Sequence, residues 1–217
     1  MVISVLEIES FLSAIGDLRP NESNIWTIRG GHVAIGVVLL AHWEFSMAVV
    51  RKEAVQGYEF SKMLSLPGGL VRGAQSDGFA ASLKRSLLDR ARDEAGIEAS
   101  DLSDFSVVPI ERAPVSRYTA KGSERLSLVF AIGAKIVRAK DLRAQRKSIR
   151  EAFFVKSPLN WNEYAPANRL IVAWALRDTL SIDEKQANAD EIENALSFCN
   201  TAAAEAALPS VRNPWTD

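Results

Sequence analysis

The chain has little of several residue types that mark particular protein classes. Its 217 residues include one cysteine, Cys199, and two histidines, His32 and His42. A single cysteine excludes an intramolecular disulfide framework and fits a reducing compartment. The two histidines lie ten positions apart and give no support for a Ser-His-Asp arrangement. We therefore expect neither a disulfide-stapled secreted domain nor a histidine-based hydrolase.

The sequence also lacks a strong net charge and a long apolar run. A formal net charge of -1 leaves no electrostatic footprint for nucleic acid or for an anionic membrane. No segment reaches the roughly 18 apolar residues of a membrane-spanning helix. Glu7 and Glu9 interrupt the first apolar stretch, which has no basic region of the kind that begins a signal peptide. These features predict a cytoplasmic protein with neither a nucleic-acid nor a membrane partner.

Hydrophobic residues make up 47% of the chain, which is enough to bury a sizeable core. The apolar, β-branched run at 32–43 is typical of a buried strand, and 46–54 resembles its hairpin partner. Further strand-like runs cover 63–69, 105–112, 125–137 and 151–157, and helical patterns cover 4–18, 79–95, 161–180 and 183–208. Strands, a helix, more strands and another helix predict an α+β fold with helices on a mixed sheet.

The helix predicted at 79–95 is amphipathic and is stopped by Gly96. Leu83, Leu87 and Ala91 form its apolar side. The opposite side collects the polar residues Ser86, Asp89, Arg90, Asp93 and Glu94. Carboxylates grouped in this way can hold a divalent cation, but they can equally form a solvated face with ion pairs four residues apart. Such spacing makes Glu94 the expected partner of Arg90.

The segment "LPGG" at 66–69, the helix and "DEAGI" at 93–97 together resemble the Nudix hydrolase signature, G-x5-E-x7-R-E-U-x-E-E-x-G-U, where U is bulky and aliphatic. Gly69 matches the first glycine, Asp93 and Glu94 the paired acids, and Gly96 the last glycine. The resemblance implies a Nudix-like α/β/α sandwich with a mixed sheet over residues 25–181. Residues 1–24 would then be an N-terminal helical extension, and residues 182–217 a C-terminal helix and tail.

The match departs from the signature at several positions. The glycines are 96 − 69 = 27 positions apart, six more than in the motif, and the extra residues fall around "AQSDGF" at 74–79. Ala81 occupies the position of the first glutamate. The Arg-Glu pair of the motif falls on Asp89 and Arg90, in reversed order. Only Asp93 and Glu94 therefore carry over from the family's metal-binding acids.

The resemblance implies magnesium-dependent cleavage of the diphosphate in a nucleoside diphosphate linked to another group, with Mn²⁺ as a substitute cation. Asp93 and Glu94 would be the catalytic residues and metal ligands, and Asp89 would be a further metal ligand. Gly68, Gly69 and Arg90 would bind the substrate, a nucleotide-type small molecule.

Arg90 leaves three arrangements open, since a guanidinium beside a divalent ion is repelled by it. The cation can be weakly bound or absent, with Arg90 gripping phosphate directly. The cation can also shift to Asp89 and Asp93, or loop acids can complete an ordinary site.

The alternative function is a catalytically inactive Nudix-fold module that binds a nucleotide or a protein partner and uses no cofactor. The helix at 183–208 is either an extra packing helix or the contact of a homodimer.

Two further groups of residues are candidates near strand ends and helix starts. Glu111 and Glu124 flank a polar loop, where either could act as a general base or simply be surface charge. Trp161, Tyr164 and Asn168 open the helix predicted at 161–180. They can shape a substrate pocket or anchor this helix to the sheet.

Overall fold

The architecture is seen in a computed structural model of the chain. The structure describes residues 18–28, 31–41, 46–53, 63–110, 126–138, 141–156, 159–164, 168, 171–172, 189–190 and 193. His42, Glu111 and Glu124 lie outside these residues, as do nearly all of the helices predicted at 4–18 and 183–208. No helix within the described residues is long and apolar enough to cross a membrane.

Within the described residues, nine strands form one mixed sheet. They are β1 (Arg19–Pro20), β2 (Trp26–Ile28), β3 (Gly31–Ala41), β4 (Ser46–Lys52), β5 (Leu64–Ser65), β6 (Gly68–Leu70), β7 (Leu102–Ile110), β8 (Leu126–Ile136) and β9 (Ile149–Lys156). The apolar strand β3 is central, running parallel to β8 along one edge and antiparallel to β2, β6 and β4 along the other. Strand β7 pairs with β8, and β9 pairs with β4. The mixed sheet that the sequence predicts is confirmed.

The predicted helix at 79–95 is present and has two parts. Helix α1 (Phe79–Arg90) continues into a wider π-helical turn, Ala91–Ala95. Gly96 ends it with φ 74°, and its N–H donates to the Arg92 carbonyl at 2.8 Å. The extra residues of the signature form a 3₁₀ turn, Gln75–Asp77, directly before α1. The insertion therefore lies at the start of the helix and leaves its length intact.

Helices cover both faces of the sheet. On one face, Leu83 and Leu87 of α1 share a buried cluster with Ile35 and other side chains of β3 and β8. Gly36 faces the other way, and a Cβ added there would lie 2.8 Å from Cδ1 of Ile171. Ile171 and Val172 are helical and buried. The result is the α/β/α layering that the sequence predicts.

Two local predictions are corrected by the sheet. The run at 63–69 is not one strand, because β5 pairs with β4 whereas β6 pairs with β3. Pro67 lies between the two strands, and proline lacks the N–H that a strand ladder requires. Its carbonyl accepts a hydrogen bond from the N–H of Val37. Arg19–Pro20, within the extension predicted as helical, is a strand paired with β2.

Tyr164 bears on the role predicted for the aromatic residues at 161–168. It is 1% exposed, and its backbone bridges to Leu64 at the end of β5. The described contacts therefore favour the anchoring role for Tyr164 over a place in a pocket.

Candidate functional site

The adjacent glycines of β6 are required by two different close approaches. A Cβ on Gly68 would overlap the carbonyl oxygen of Ile35, because β6 pairs tightly with β3 at this point. Gly69 has φ 152°, and a Cβ added there would lie 2.7 Å from Nη2 of Arg90. Glycine at the first position lets β6 reach the sheet, and glycine at the second lets the guanidinium of Arg90 lie against the backbone.

Glu94 is the acid that ties α1 to this loop. Its side chain is 1% exposed, and Oε2 accepts a hydrogen bond from the N–H of Gly68 at 3.1 Å. Oε1 accepts from Nη1 of Arg90 at 2.8 Å and from Nη1 of Arg146 at 3.2 Å. The pairing of Arg90 with Glu94 that the spacing predicts is confirmed. Each carboxylate oxygen of Glu94 already has a donor.

Asp89 and Asp93 are more exposed and share a different arginine. Arg92 donates to Asp93 at 2.8 Å and to Asp89 at 3.0 Å. All three side chains are between 42% and 46% exposed. The hydrogen bond with Asp93, together with the negative charges of Asp93 and Asp89, raises the pKa of Arg92. Arg92 therefore stays charged, and both aspartates remain accessible to solvent.

The segment 141–148, which we call the strap, closes the end of the helix. The carbonyl of Asp93 accepts the N–H groups of Gln145 and Arg146 at 2.9 and 3.0 Å, and the carbonyl of Ala95 accepts that of Arg143 at 3.1 Å. These bonds satisfy carbonyls that a helix terminus otherwise leaves unpaired. They also hold the backbone of Arg146 beside Glu94.

A cavity of about 810 Å³ lies between α1, the loop after β6 and the strap. Its polar lining comprises Asn24, Arg72, Asp77, Arg85, Ser86, Asp89, Arg90, Asp93, Gln145 and Arg146. The hydroxyl of Ser86 accepts the N–H of Arg72 at 3.2 Å, which joins α1 to the loop, and Arg85 pairs with Asp77 at 3.0 Å. The volume is within the range of small-molecule sites.

A glycine loop leads into a helix, and the last acid of that helix returns to bind the loop, beside a mixed sheet with helices on both faces. The chain has a Nudix-like fold. The glycines at the beginning of the signature-like segment and the acid near its end therefore lie together in the folded chain.

Comparisons with known proteins return Nudix structures at low similarity. The Nudix domain of Shewanella oneidensis NrtR, complexed with ADP-ribose, is 14% identical, covers 78% of this chain and 90% of its own, and has a TM-score of 0.42. The M. smegmatis Nudix hydrolase RenU is 12% identical, with coverages of 90% and 98% and a TM-score of 0.44. A C. elegans Ap4A hydrolase is 13% identical, with coverages of 76% and 96% and a TM-score of 0.40. No protein-family model and no curated protein sequence matches the chain.

The site residues that the sequence resemblance predicts fall into two groups. Gly68, Gly69, Arg90 and Glu94 contact one another, as described above. Asp89 and Asp93 line the cavity without contacting Glu94 among the described interactions. Within the described part of the chain, no three His, Cys, Asp or Glu side chains converge as a metal site.

Sequence reasoning missed other basic residues of this cavity. Arg72 follows Gly69 by three positions, so its proximity to the glycine loop was a usable signal. Arg146 had no such signal, because it lies 52 positions from Glu94 in the sequence. Its place depends on the strap, which only the folded chain brings to the end of α1.

Proposed function

We propose that the cavity beside α1 binds a nucleotide-type small molecule through its diphosphate. The observation that carries this proposal is the set of four arginines on its lining, Arg72, Arg85, Arg90 and Arg146. A guanidinium offers several N–H donors in a planar fork that matches phosphate oxygens, and these bonds are stronger when both groups are charged.

The polar neutral groups of the cavity suit the rest of such a ligand. Asn24, Ser86 and Gln145 line the same space as the arginines. Amide and hydroxyl groups can donate to or accept from a ribose hydroxyl or the edge of a base. Arg72 is exposed and forms no ion pair among the interactions that the structure describes, so its charge is available to a phosphate.

The family resemblance also implies magnesium, and the acids differ in how well they fit it. A cation at Glu94 would have to displace a guanidinium or the N–H of Gly68. Asp89 and Asp93 fit better, because their pairs with Arg92 are exposed and such pairs are weak. Magnesium commonly takes one or two carboxylates together with substrate phosphates. Held by Asp89 and Asp93, it would offset the charge of the diphosphate and polarise phosphorus.

We further propose that the chain hydrolyses the diphosphate of a nucleoside diphosphate linked to another group. Asp89 and Asp93 line the same cavity as the arginines, so a carboxylate oxygen that is not on the cation is available to accept a proton from water. The water oxygen would bond to phosphorus, and the bond from phosphorus to the bridging oxygen would break. Two phosphorylated products would be released.

The test starts with calorimetry of the purified chain and ADP-ribose, with magnesium and then with EDTA, followed by measurement of the released products. The double variant Asp89→Asn/Asp93→Asn should retain binding and lose turnover by about 100-fold or more. Asp104→Asn is the matched control, because Asp104 is an exposed acid on β7 that does not line the cavity.

Two results would contradict the proposal at different points. Absence of binding at millimolar ADP-ribose, with and without magnesium, would refute the cavity as a nucleotide site. Binding without any turnover would refute the hydrolysis and favour the alternative of an inactive nucleotide-binding module. Equal turnover in the double variant and in Asp104→Asn would refute the roles of the two aspartates.

A further inference from the structure

The direct contacts of the Glu94 side chain bring two positive charges to one negative charge. A single carboxylate receives both Arg90 and Arg146 on the same oxygen, Oε1. Neither arginine pairs with another acid among the described residues. Two guanidinium charges against one carboxylate leave an excess of positive charge beside Gly68 and Gly69, in a position that is only partly exposed to water. Such an excess attracts an anion more strongly than the same charge in bulk solvent would.

Both arginines retain hydrogen-bond donors that Glu94 does not use. A guanidinium has five N–H groups, and each arginine gives only its Nη1 to the carboxylate in the described contacts. Both side chains line the cavity. Arg90 is 15% exposed and Arg146 is 45% exposed, so the first is held in the wall and the second lies at the opening.

The backbone fixes the point from which each arginine side chain extends. Arg90 ends α1, and its guanidinium lies against Gly69, where any larger residue would collide with it. The strap holds Arg146 by the bond from its own N–H to the carbonyl of Asp93. The two guanidinium groups therefore approach Glu94 from separate elements, and each donates a hydrogen bond to its carboxylate. Donors that are already hydrogen-bonded in place bind an anion at a reduced ordering cost.

We propose that Arg90 and Arg146, both oriented by Glu94, form a cation-independent clamp for two adjacent phosphate groups. This assignment rests on the proposed function, since it names what grips the diphosphate of that ligand. Arginine supplies the positive charge for binding, so a divalent cation at Asp89 and Asp93 is needed for hydrolysis and not for affinity. Arg146 is then the residue that distinguishes a diphosphate from a monophosphate.

The experiment compares the affinity for ADP, AMP and inorganic pyrophosphate in EDTA and in magnesium. In EDTA, ADP and pyrophosphate should bind at least about tenfold more tightly than AMP, because the second phosphate adds negative charge and acceptor oxygens for the N–H groups that the two arginines leave unused. Replacing EDTA by magnesium should change the affinity for ADP by less than about threefold. Arg146→Gln should remove the preference for ADP over AMP, and Arg146→Lys should restore part of it.

Arg143→Gln is the matched control, because Arg143 belongs to the same strap, is exposed and does not line the cavity. It removes the same charge without touching the clamp, so it should leave the preference for ADP unchanged. Urea unfolding of Arg146→Gln should differ little from that of Arg143→Gln, since both keep the backbone bonds of the strap and the ion pair that Arg146 loses is half-exposed.

The proposed clamp is refuted if ADP binds only with magnesium, or if Arg143→Gln and Arg146→Gln lower the affinity for ADP equally. In either case ADP still binds, so the proposed nucleotide site stands while the clamp does not. If neither ADP nor ADP-ribose binds under any condition, the proposed function fails and the clamp fails with it.

Discussion

Glu94→Gln should strongly destabilise the fold, even though glutamine has nearly the same size as glutamate. The carboxylate is buried between the N–H of Gly68 and the guanidinium of Arg90. One end of the replacing amide is an NH₂ group, which must face one of these donors. The substitution therefore removes the charge that Arg90 needs and also places a donor against a donor.

The magnitude follows from the exposure of each partner. Removing one member of a buried ion pair costs about 3–5 kcal/mol, because the other charge is left without compensation. Arg146 is 45% exposed, so the loss of its pair adds at most about 1 kcal/mol. The two losses share Oε1 and are not additive. We expect the free energy of unfolding to fall by about 3–4 kcal/mol.

Urea unfolding followed by tryptophan fluorescence and circular dichroism measures this loss. With a urea dependence of about 1–3 kcal/mol per molar, the midpoint should move down by about 1 M or more. Asp93→Asn is the control, because the pair of Asp93 with Arg92 is exposed and should contribute less than about 1 kcal/mol. If the losses of unfolding free energy in Glu94→Gln and Asp93→Asn differ by less than about 1 kcal/mol, the buried charge network around Glu94 is refuted.

Two further predictions concern glycines. Gly36→Ala should destabilise the fold because its Cβ would lie 2.8 Å from Cδ1 of Ile171, and adding Ile171→Ala should recover part of the loss. Urea midpoints of the two single variants and of the double variant measure this effect. If the losses of the two single variants simply add in the double variant, the contact between positions 36 and 171 is refuted. Gly96→Ala places alanine in the left-handed conformation, at φ 74° and ψ 21°, which costs about 1–2 kcal/mol. The methyl would also meet the carbonyl oxygen of Arg143, at 2.7 Å, so the loss of unfolding free energy in urea should exceed about 2 kcal/mol; a loss of about 1 kcal/mol or less would refute the contact.

The sequence predicts those parts of the fold that depend on short-range patterns. The apolar run at 32–43 marks β3, and the helical pattern with Gly96 marks α1 and its end. The pair of Arg90 with Glu94 follows from a separation of four residues. These features need only the geometry of a single strand or helix.

Features that depend on distant neighbours could not be predicted. The burial of Glu94 arises because β6 brings Gly68 against the end of α1, where a helical wheel shows only a polar side. The position of Arg146 depends on the strap, and the division of 63–69 into β5 and β6 depends on which strands lie beside each half. Each of these results from the tertiary arrangement overriding a local pattern.

The backbone bonds of the strap separate the scaffold of the cavity from its chemistry. Since main-chain N–H groups hold positions 143, 145 and 146 against the helix end, the identity of their side chains is not what keeps the segment in place. Substitutions at Gln145 and Arg146 can therefore alter which ligand is preferred while the architecture is inherited unchanged. In a lineage that diversifies its substrates, these two positions are where we expect variation to accumulate first.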